Sequence, residues 1–282
     1  MCGIVGIVPV PGKEIDIKTF NNMTALSRKR GLHASGYLVY NGPNDFCVIK
    51  EPGFFLHLDP ENNDFKNAKL ILGHVRKASM GSFSDNEGNH PHRINNLVLV
   101  HNGTAPTLAR ICRDLKISNP TGNDSLAMLH LIYRCTRNGM TVPQAIDAVL
   151  SQTNVNDSFS IAVFDLNTGD LFFCRDARNN AYSGRPLVLS ANKDGLVFAS
   201  EESFIAKTFG GYIRRFGLYF RGIIDSSSRS IIQCNVNDIN LNPCNVVGRV
   251  QDTPANIPCL MTEEQKRKAR AEKSEVKTFI GL

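Results

Sequence analysis

Cys2 directly follows Met1. If Met1 is removed, one residue carries both a thiol and an α-amine. A free thiol titrates near ~8.5 and an α-amine near ~7.7–8.0. The amine is one of the few groups that exchange protons near neutrality unaided. Nucleophile and matched general base then share a residue, as in N-terminal threonine hydrolases. The plainer alternative is a small hydrophobe that opens a core strand.

Three further groups carry chemistry. Arg76, inside Gly73-His74-Val75-Arg76-Lys77-Ala78-Ser79-Met80-Gly81, stands where a strand meets a Gly/Ser loop. Arginine clamps a carboxylate with two parallel hydrogen bonds, although a solvated edge arginine fits the same pattern. His101-Asn102-Gly103 follows a strand. Its Asn side-chain amide and Gly backbone N–H make two donors for a developing oxyanion; an ordinary Asn-Gly turn is the competing use. Asp124 opens an amphipathic stretch, where it either caps a helix or meets a substrate ammonium.

These residues need elements to position them. Gly3 to Val8 is β-branched and apolar and stops at Pro9, as a buried strand would. Ile17, Phe20, Met23 and Leu26 recur at helical spacing, and Gly31 follows a basic end. Tyr37–Tyr40 and Phe46–Ile49 flank Asn41-Gly42-Pro43-Asn44, a hairpin signal. Lys69 to Val75 reads as a strand, Ala78 to Pro91 as a loop, and Leu97 to Val100 as a strand ending at His101. Helices are expected over Leu108–Leu115, Asp124–Arg137 and Pro143–Leu150. Phe159–Leu166 and Leu171–Arg175 form a second hairpin around Asn167-Thr168-Gly169-Asp170. Leu187–Ser190 and Leu196–Ser200 are strands, and a short helix follows from Glu202 to Thr208. Beyond about residue 230 the chain is Asn-rich and reads as irregular. Thr262-Glu-Glu-Gln265 is a capping-box pattern that opens a charged helix. Blocks of strands and helices argue an α+β fold with stacked sheets and helices outside.

Composition sets the outer limits. The 282 residues allow one large or two small domains. With 42% hydrophobic and 21% charged residues, the chain can bury a core, which excludes a mainly disordered protein. No apolar run approaches the ~20 residues of a membrane helix. The opening run lacks the basic flank of a signal peptide, so the expected compartment is the cytosol. The net charge of +6 implies mild attraction to acidic partners. No basic run interleaves with aromatics, so no nucleic-acid partner is expected. Seven of the eight cysteines are scattered without a CxxC pair and read as buried free thiols. Cys234, Cys244 and Cys259, or His90 with His92, give only a weak metal signal. No metal and no cofactor is expected.

Taken together and in order, the motifs resemble the class II glutamine amidotransferases. That family's glutaminase domain begins Met-Cys-Gly-Ile-hydrophobic-Gly, and residues 1–6 read MCGIVG. Arg30-Gly31 and Ser35-Gly36 match its Arg-Gly pair and the strand start that follows. Gly73 to Gly81 match its glutamine loop, and His90-Pro91-His92 its His-Pro-His. Val98 to Gly103 match its hydrophobic-Val-His-Asn-Gly, and Asn123-Asp124-Ser125 its Thr-Asp-Thr. Pro186-Leu187-Val188 and Ala199-Ser200-Glu201 look like two later strands. The resemblance covers residues 2–225.

It implies a four-layer αββα N-terminal-nucleophile hydrolase fold over residues 1–225, with residues 226–282 an irregular extension ending in a charged helix. By position it implies Cys2 as nucleophile with its own α-amine as base, and Asn102 and Gly103 as the oxyanion hole. Arg76 would hold the α-carboxylate of glutamine and Asp124 its α-ammonium. Ser79 keeps the hydroxyl of the family's loop Thr and joins the substrate-binding group. Arg30, with Gly31, would order the N-terminal residue. The sequence departs from the family at His33, where an Asp is usual, and at Lys77, Met80 and Leu126; His33 reads as a satisfied surface residue. The implied activity is hydrolysis of the glutamine side-chain amide to glutamate and ammonia. The residues after 225 are too few for the usual acceptor domain, so the ammonia acceptor is expected on a separate chain. Two other readings stay open: an N-terminal-cysteine amidase with another amide substrate, and a degenerate glutaminase fold that serves as a binding or regulatory subunit.

Overall fold

A computed structural model of the chain describes residues 1–54, 56–78, 82–119, 121–154, 156–176, 185–207, 230–239, 244–250 and 257–269. The opening apolar run forms strand β1, Gly3–Pro9, with every residue buried. Burial on both faces is what a continuous apolar run predicts, and the strand stops where Pro9 has no N–H to give.

The expected helix follows as α1, Ile17–Ser27, capped by the Asp16 side chain on Thr19 N–H and extended by a short turn over Arg28–Arg30. The first hairpin is β2, Ala34–Gly42, paired with β3, Asp45–Pro52. A single turn of helix, α2 (Asn63–Lys66), precedes β4, Leu70–Arg76. Next come β5 (His92–Ile94), β6 (Leu97–Thr104), α3 (Pro106–Asp114), α4 (Asp124–Arg137) and α5 (Val142–Leu150). The second hairpin is β7, Ser158–Asp165, with β8, Asp170–Asp176. Strands β9 (Val188–Asn192) and β10 (Gly195–Ala199) lead into α6, Glu202–Ala206. Strands β11 (Ser230–Asn235) and β12 (Cys244–Arg249) follow.

The strands make two six-stranded sheets, ordered β3-β2-β4-β1-β10-β9 and β12-β11-β8-β7-β6-β5. Three cores separate four layers. Ile4, Val8, Leu72, Val100, Phe164 and Phe198 pack between the sheets. The outer face of the second sheet carries Leu99, Phe159 and Ile161 against Met128, Ile132 and Val149 of α4 and α5. The outer face of the first carries Val5, Ile71 and Val197 against Phe20, Met23 and Phe204 of α1 and α6. The layers run helix, sheet, sheet, helix, the αββα arrangement that the resemblance implies, and strand alternation explains it. Along β1 the even residues face the second sheet and the odd ones face α1.

The structure departs from the expected elements in two places. Asn102 and Gly103 are not a turn: β6 continues through them, paired with Ser160 and Phe159 of β7. Beyond residue 230 the chain is not irregular. Strand β11 pairs with β8 and β12 pairs with β11, because Ile231, Ile232 and Cys234 give it apolar residues for both faces. Asn235 ends β11, where its Nδ2 reaches the carbonyl of Thr168 and the carboxylate of Asp170. The capping box forms as read: Thr262 N–H donates to Gln265 Oε1 and Gln265 N–H to Thr262 Oγ1, opening a helix over residues 263–269. The boundary near 225, Thr208, and Ser79, Met80 and Gly81 of the glutamine-loop motif lie outside the described residues.

Five of the seven scattered cysteines are buried, but Cys47 is exposed and Cys244 half-buried, because both lie on outer strands, and four of the seven fall into two pairs. Cys234 stands opposite Cys244 across β11 and β12. Cys259 meets Cys135 of α4 with its Sγ 3.3 Å away. Cys259 is thus drawn away from Cys234 and Cys244. Among the described residues no group of three His, Cys, Asp or Glu is arranged to hold a metal ion, and no helix is long and apolar enough to cross a membrane.

Candidate active site

Strand β1 starts one residue after Cys2, so the thiol stands at the sandwich end where β4 and β6 finish. Gly3 pairs with Val75 of β4, one residue before Arg76. Cys2 Sγ lies 3.7 Å from the carbonyl oxygen of Lys77, to which the S–H donates. Burial pushes the thiol pKa up, against smaller opposing effects from that hydrogen bond, the chain's amine, Arg76 and Arg185. The resting sulfur is therefore protonated and needs a base.

Arg30 holds the other side of Cys2. Its Nε donates to the Cys2 carbonyl at 2.6 Å, and its Nη1 pairs with Glu201 at 2.7 Å. Burial raises the Glu201 pKa, but hydrogen bonds from Lys29 and Arg30 outweigh this and hold it below the ordinary value. Gly31 is needed for close approach. A Cβ there would lie 2.4 Å from the carbonyl carbon of Arg76 and 2.6 Å from Lys77 N. That explains the Arg-Gly pair physically: one residue grips the nucleophile's backbone and the next lets the chain lie on the backbone of β4.

Arg76 is 4% exposed. Its Nη1 donates to Asn89 Oδ1 at 2.6 Å and to the Ser82 carbonyl at 3.2 Å. Asn89 is in turn held by the carbonyl of Phe83 and by Asn86 Oδ1. Burial lowers the Arg76 pKa, opposed by the negative charges of Cys2, Asp124 and Asp85, so these groups share one neighbourhood. The guanidinium is thus a fixed cation, not a solvated edge residue.

Asn102 lies on the inner face of β6 and is 1% exposed; its Nδ2 has no hydrogen-bond partner. A buried donor without a partner costs on the order of 1–3 kcal/mol, so its presence calls for a reason. Gly103 has a packing reason to be glycine, since a Cβ would sit 2.2 Å from the Ser158 carbonyl oxygen. Asp124 is the first residue of α4, not its cap. Asn123 caps, with Oδ1 accepting from the backbone of Ser125 and Leu126. Asp124 is 6% exposed and accepts from Ala105 N–H at 2.7 Å and Ser125 N–H at 2.9 Å. Its four lone-pair sites are not all used.

His33 is half-buried, and its ring is hydrogen-bonded as expected of a satisfied residue. Its Nδ1 accepts from Ala78 N–H at 3.0 Å, its ring stacks on Phe83 at 5.0 Å, and its own N–H donates to the Arg76 carbonyl. It braces the chain leaving Arg76. Arg185, the residue before Pro186, contributes a positive charge that acts on Cys2, the chain's amine and His101. It adopts φ 59°, a left-handed conformation uncommon for a non-glycine residue. The local signal is the following Pro186, which disfavours the helical region at position 185.

Beneath the site lie four buried histidines. The rings of His74 and His90 are 4.1 Å apart and those of His90 and His92 4.3 Å, with His101 at 6.5 Å from His90. Burial drives the His74 pKa down to about 3 and holds those of His90, His92 and His101 below the ordinary value. All four are neutral at pH 7. Their folded-state pKa values lie below the unfolded one, so the unfolded chain binds more protons below about pH 6.5. Stability is complete above that pH and falls as pH drops toward 3. For His74, whose folded-state value is about 3, the expected loss is about 1.4 kcal/mol per pH unit below about pH 6.5. Urea midpoints measured at pH 7 and pH 5, above most carboxylate titration, should differ clearly; equal midpoints would contradict this.

No protein-family model matches the chain. Relatives in sequence include the glutamine–fructose-6-phosphate aminotransferases (isomerizing) of Helicobacter pylori and Bartonella henselae. The first is 27% identical over 212 residues, which covers 73% of this chain and 33% of the relative. The second is 27% identical over 211 residues, covering 73% and 32%. The chain thus matches about a third of the length of these relatives. In fold it is similar to the glutamine phosphoribosylpyrophosphate amidotransferase of B. subtilis, at TM-score 0.63 and 20% identity over 88% of this chain and 49% of that one. A glutamine aminotransferase class-II domain protein of Silicibacter pomeroyi aligns at TM-score 0.50 and 11% identity, over 88% of this chain and 100% of that one.

Proposed function

We propose that the chain, which is similar to class II glutamine amidotransferase domains, hydrolyses the side-chain amide of glutamine through Cys2. The reading rests on Asn102: a buried amide with an unpartnered Nδ2, at the end of the sandwich where the nucleophile stands. A donor kept free in a dry site is what a developing oxyanion requires.

Once Met1 is removed, the Cys2 α-amine takes the thiol proton. The thiolate attacks the side-chain carbonyl carbon, and the oxygen's new charge is met by Asn102 Nδ2 and the Gly103 N–H. As the tetrahedral species collapses, the C–N bond breaks and the ammonium returns the proton to the departing ammonia. Water, deprotonated by the same amine, then cleaves the γ-glutamyl thioester to glutamate, and the sulfur regains its proton. Free glutamine carries one anionic and one cationic end and an uncharged amide. Arg76, Asp124 and the Asn102/Gly103 pair are the matching cation, anion and neutral donors. Arg30 and Gly31 seat the nucleophile, and Ser79 is assigned to the substrate loop.

Ammonia is proposed to pass to an acceptor enzyme on a separate chain.

The test is glutamate release from glutamine by the purified full chain, with its intact mass. Release by protein lacking Met1 is expected. Protein that keeps Met1 and still hydrolyses glutamine would overturn the amine-as-base step. Processed protein that binds glutamine without hydrolysing it would favour the binding-subunit reading.

A further inference from the structure

Arg76, Asn102 and Asp124 stand on three different elements, yet one substrate of fixed length must meet all of them. The elements must therefore be held at a set spacing. His74 lies two residues before Arg76, on the same face of β4. Its Nε2 is 3.1 Å from the carbonyl oxygen of His101. A carbonyl only accepts, so this nitrogen carries the proton. The bond crosses from the first sheet to the second and ends on the peptide that leads into Asn102. The His101 ring points to the other face of β6, toward α4, where its Nδ1 is 2.7 Å from Ser125 Oγ. Ser125 follows Asp124. His74, His101 and Ser125 are 0%, 2% and 3% exposed.

Building on the function proposed above, we propose that His74 and His101 are positioning residues, and that the His74–His101–Ser125 hydrogen-bond chain sets the spacing of the carboxylate clamp, the oxyanion donor and the ammonium-binding carboxylate. Each link joins neighbours of two substrate-contacting groups: His74 couples Arg76 to Asn102, and His101 couples Asn102 to Asp124. Both bonds are directional. Apolar side chains would fill the same volume without fixing the register of one element on the next.

A misplacement of about 1 Å at a reacting site costs on the order of 100-fold. His74→Leu, which fills the space without a donor, is therefore expected to lower kcat/KM by roughly 10–100-fold. His74→Gln presents an Nε2 donor to the same carbonyl and should stay within about threefold of wild type. Ser125→Ala should raise KM for glutamine and leave kcat nearly unchanged. Its effect should shrink with glutaramate, which lacks the α-ammonium that Asp124 would meet. Glutamine affinity of the same variants, measured by calorimetry in a Cys2→Ala background, reads the site without the chemistry. If His74→Leu fails to fold, His74→Gln and Ser125→Ala still decide. Equal loss in His74→Leu and His74→Gln, or unchanged kinetics in His74→Leu, would overturn the positioning role of His74. Equal Ser125→Ala effects on both substrates would overturn that of His101. A wild-type protein that neither binds nor hydrolyses glutamine would overturn the function itself, and the positioning assignment with it.

Discussion

Cys2→Ala is expected to reduce glutamate release from glutamine by on the order of 10⁴–10⁶-fold, the scale seen when a covalent nucleophile is deleted. The reasons are local. The thiol is the group that would form the thioester, and what remains without it is binding and the oxyanion donors alone. Fold stability should barely change. Cys2 is half-buried at the head of β1, and the bond that ties it down uses its backbone carbonyl, which Arg30 grips. Alanine keeps that carbonyl. The pH dependence follows from the base. Activity should rise with pH as the amine loses its proton, and burial lowers the pKa of the amine now carried by Met1. Equal glutamate release from wild type and Cys2→Ala would remove the nucleophile assignment.

Asn102→Ala is expected to lower kcat by on the order of 10²–10³-fold while leaving KM close to wild type. An oxyanion donor bonds the transition state more strongly than the ground state, so its loss appears in kcat. Stability again separates this from a structural role. Nδ2 of Asn102 donates to nothing, so truncation breaks no hydrogen bond of Nδ2 that supports the sandwich. A structural asparagine would show the reverse: a lowered melting temperature and modest kinetics. An unchanged kcat in a folded Asn102→Ala protein would reassign the oxyanion hole.

Much of this was legible along the chain because it is local. The apolar run of β1, both hairpins, the Asp124–Arg137 helix and the Thr262–Gln265 capping box are decided by residues within a few positions of one another. The extended path of the Asn102-Gly103 pair was hidden because it is not local. As a dipeptide it favours a turn, but Ser160 and Phe159, more than fifty positions away, supply the ladder that keeps it extended. Strand β11, at the edge of the Asn-rich stretch, was obscured in the same way, since its partner β8 lies about sixty residues earlier.

The candidate site divides along the same line. Residue types and their order were enough to single out Cys2, Arg76, Asn102, Gly103 and Asp124, because chemistry resides in side-chain identity. Position along the chain could not show that Arg30 grips the Cys2 carbonyl or that His33 braces Ala78. Nor could it show that His74 bonds the peptide before Asn102. Those relations exist only after two sheets are laid face to face. Stacking removes water from between them, and there a single hydrogen bond or charge gains the strength to set where a neighbouring group stands.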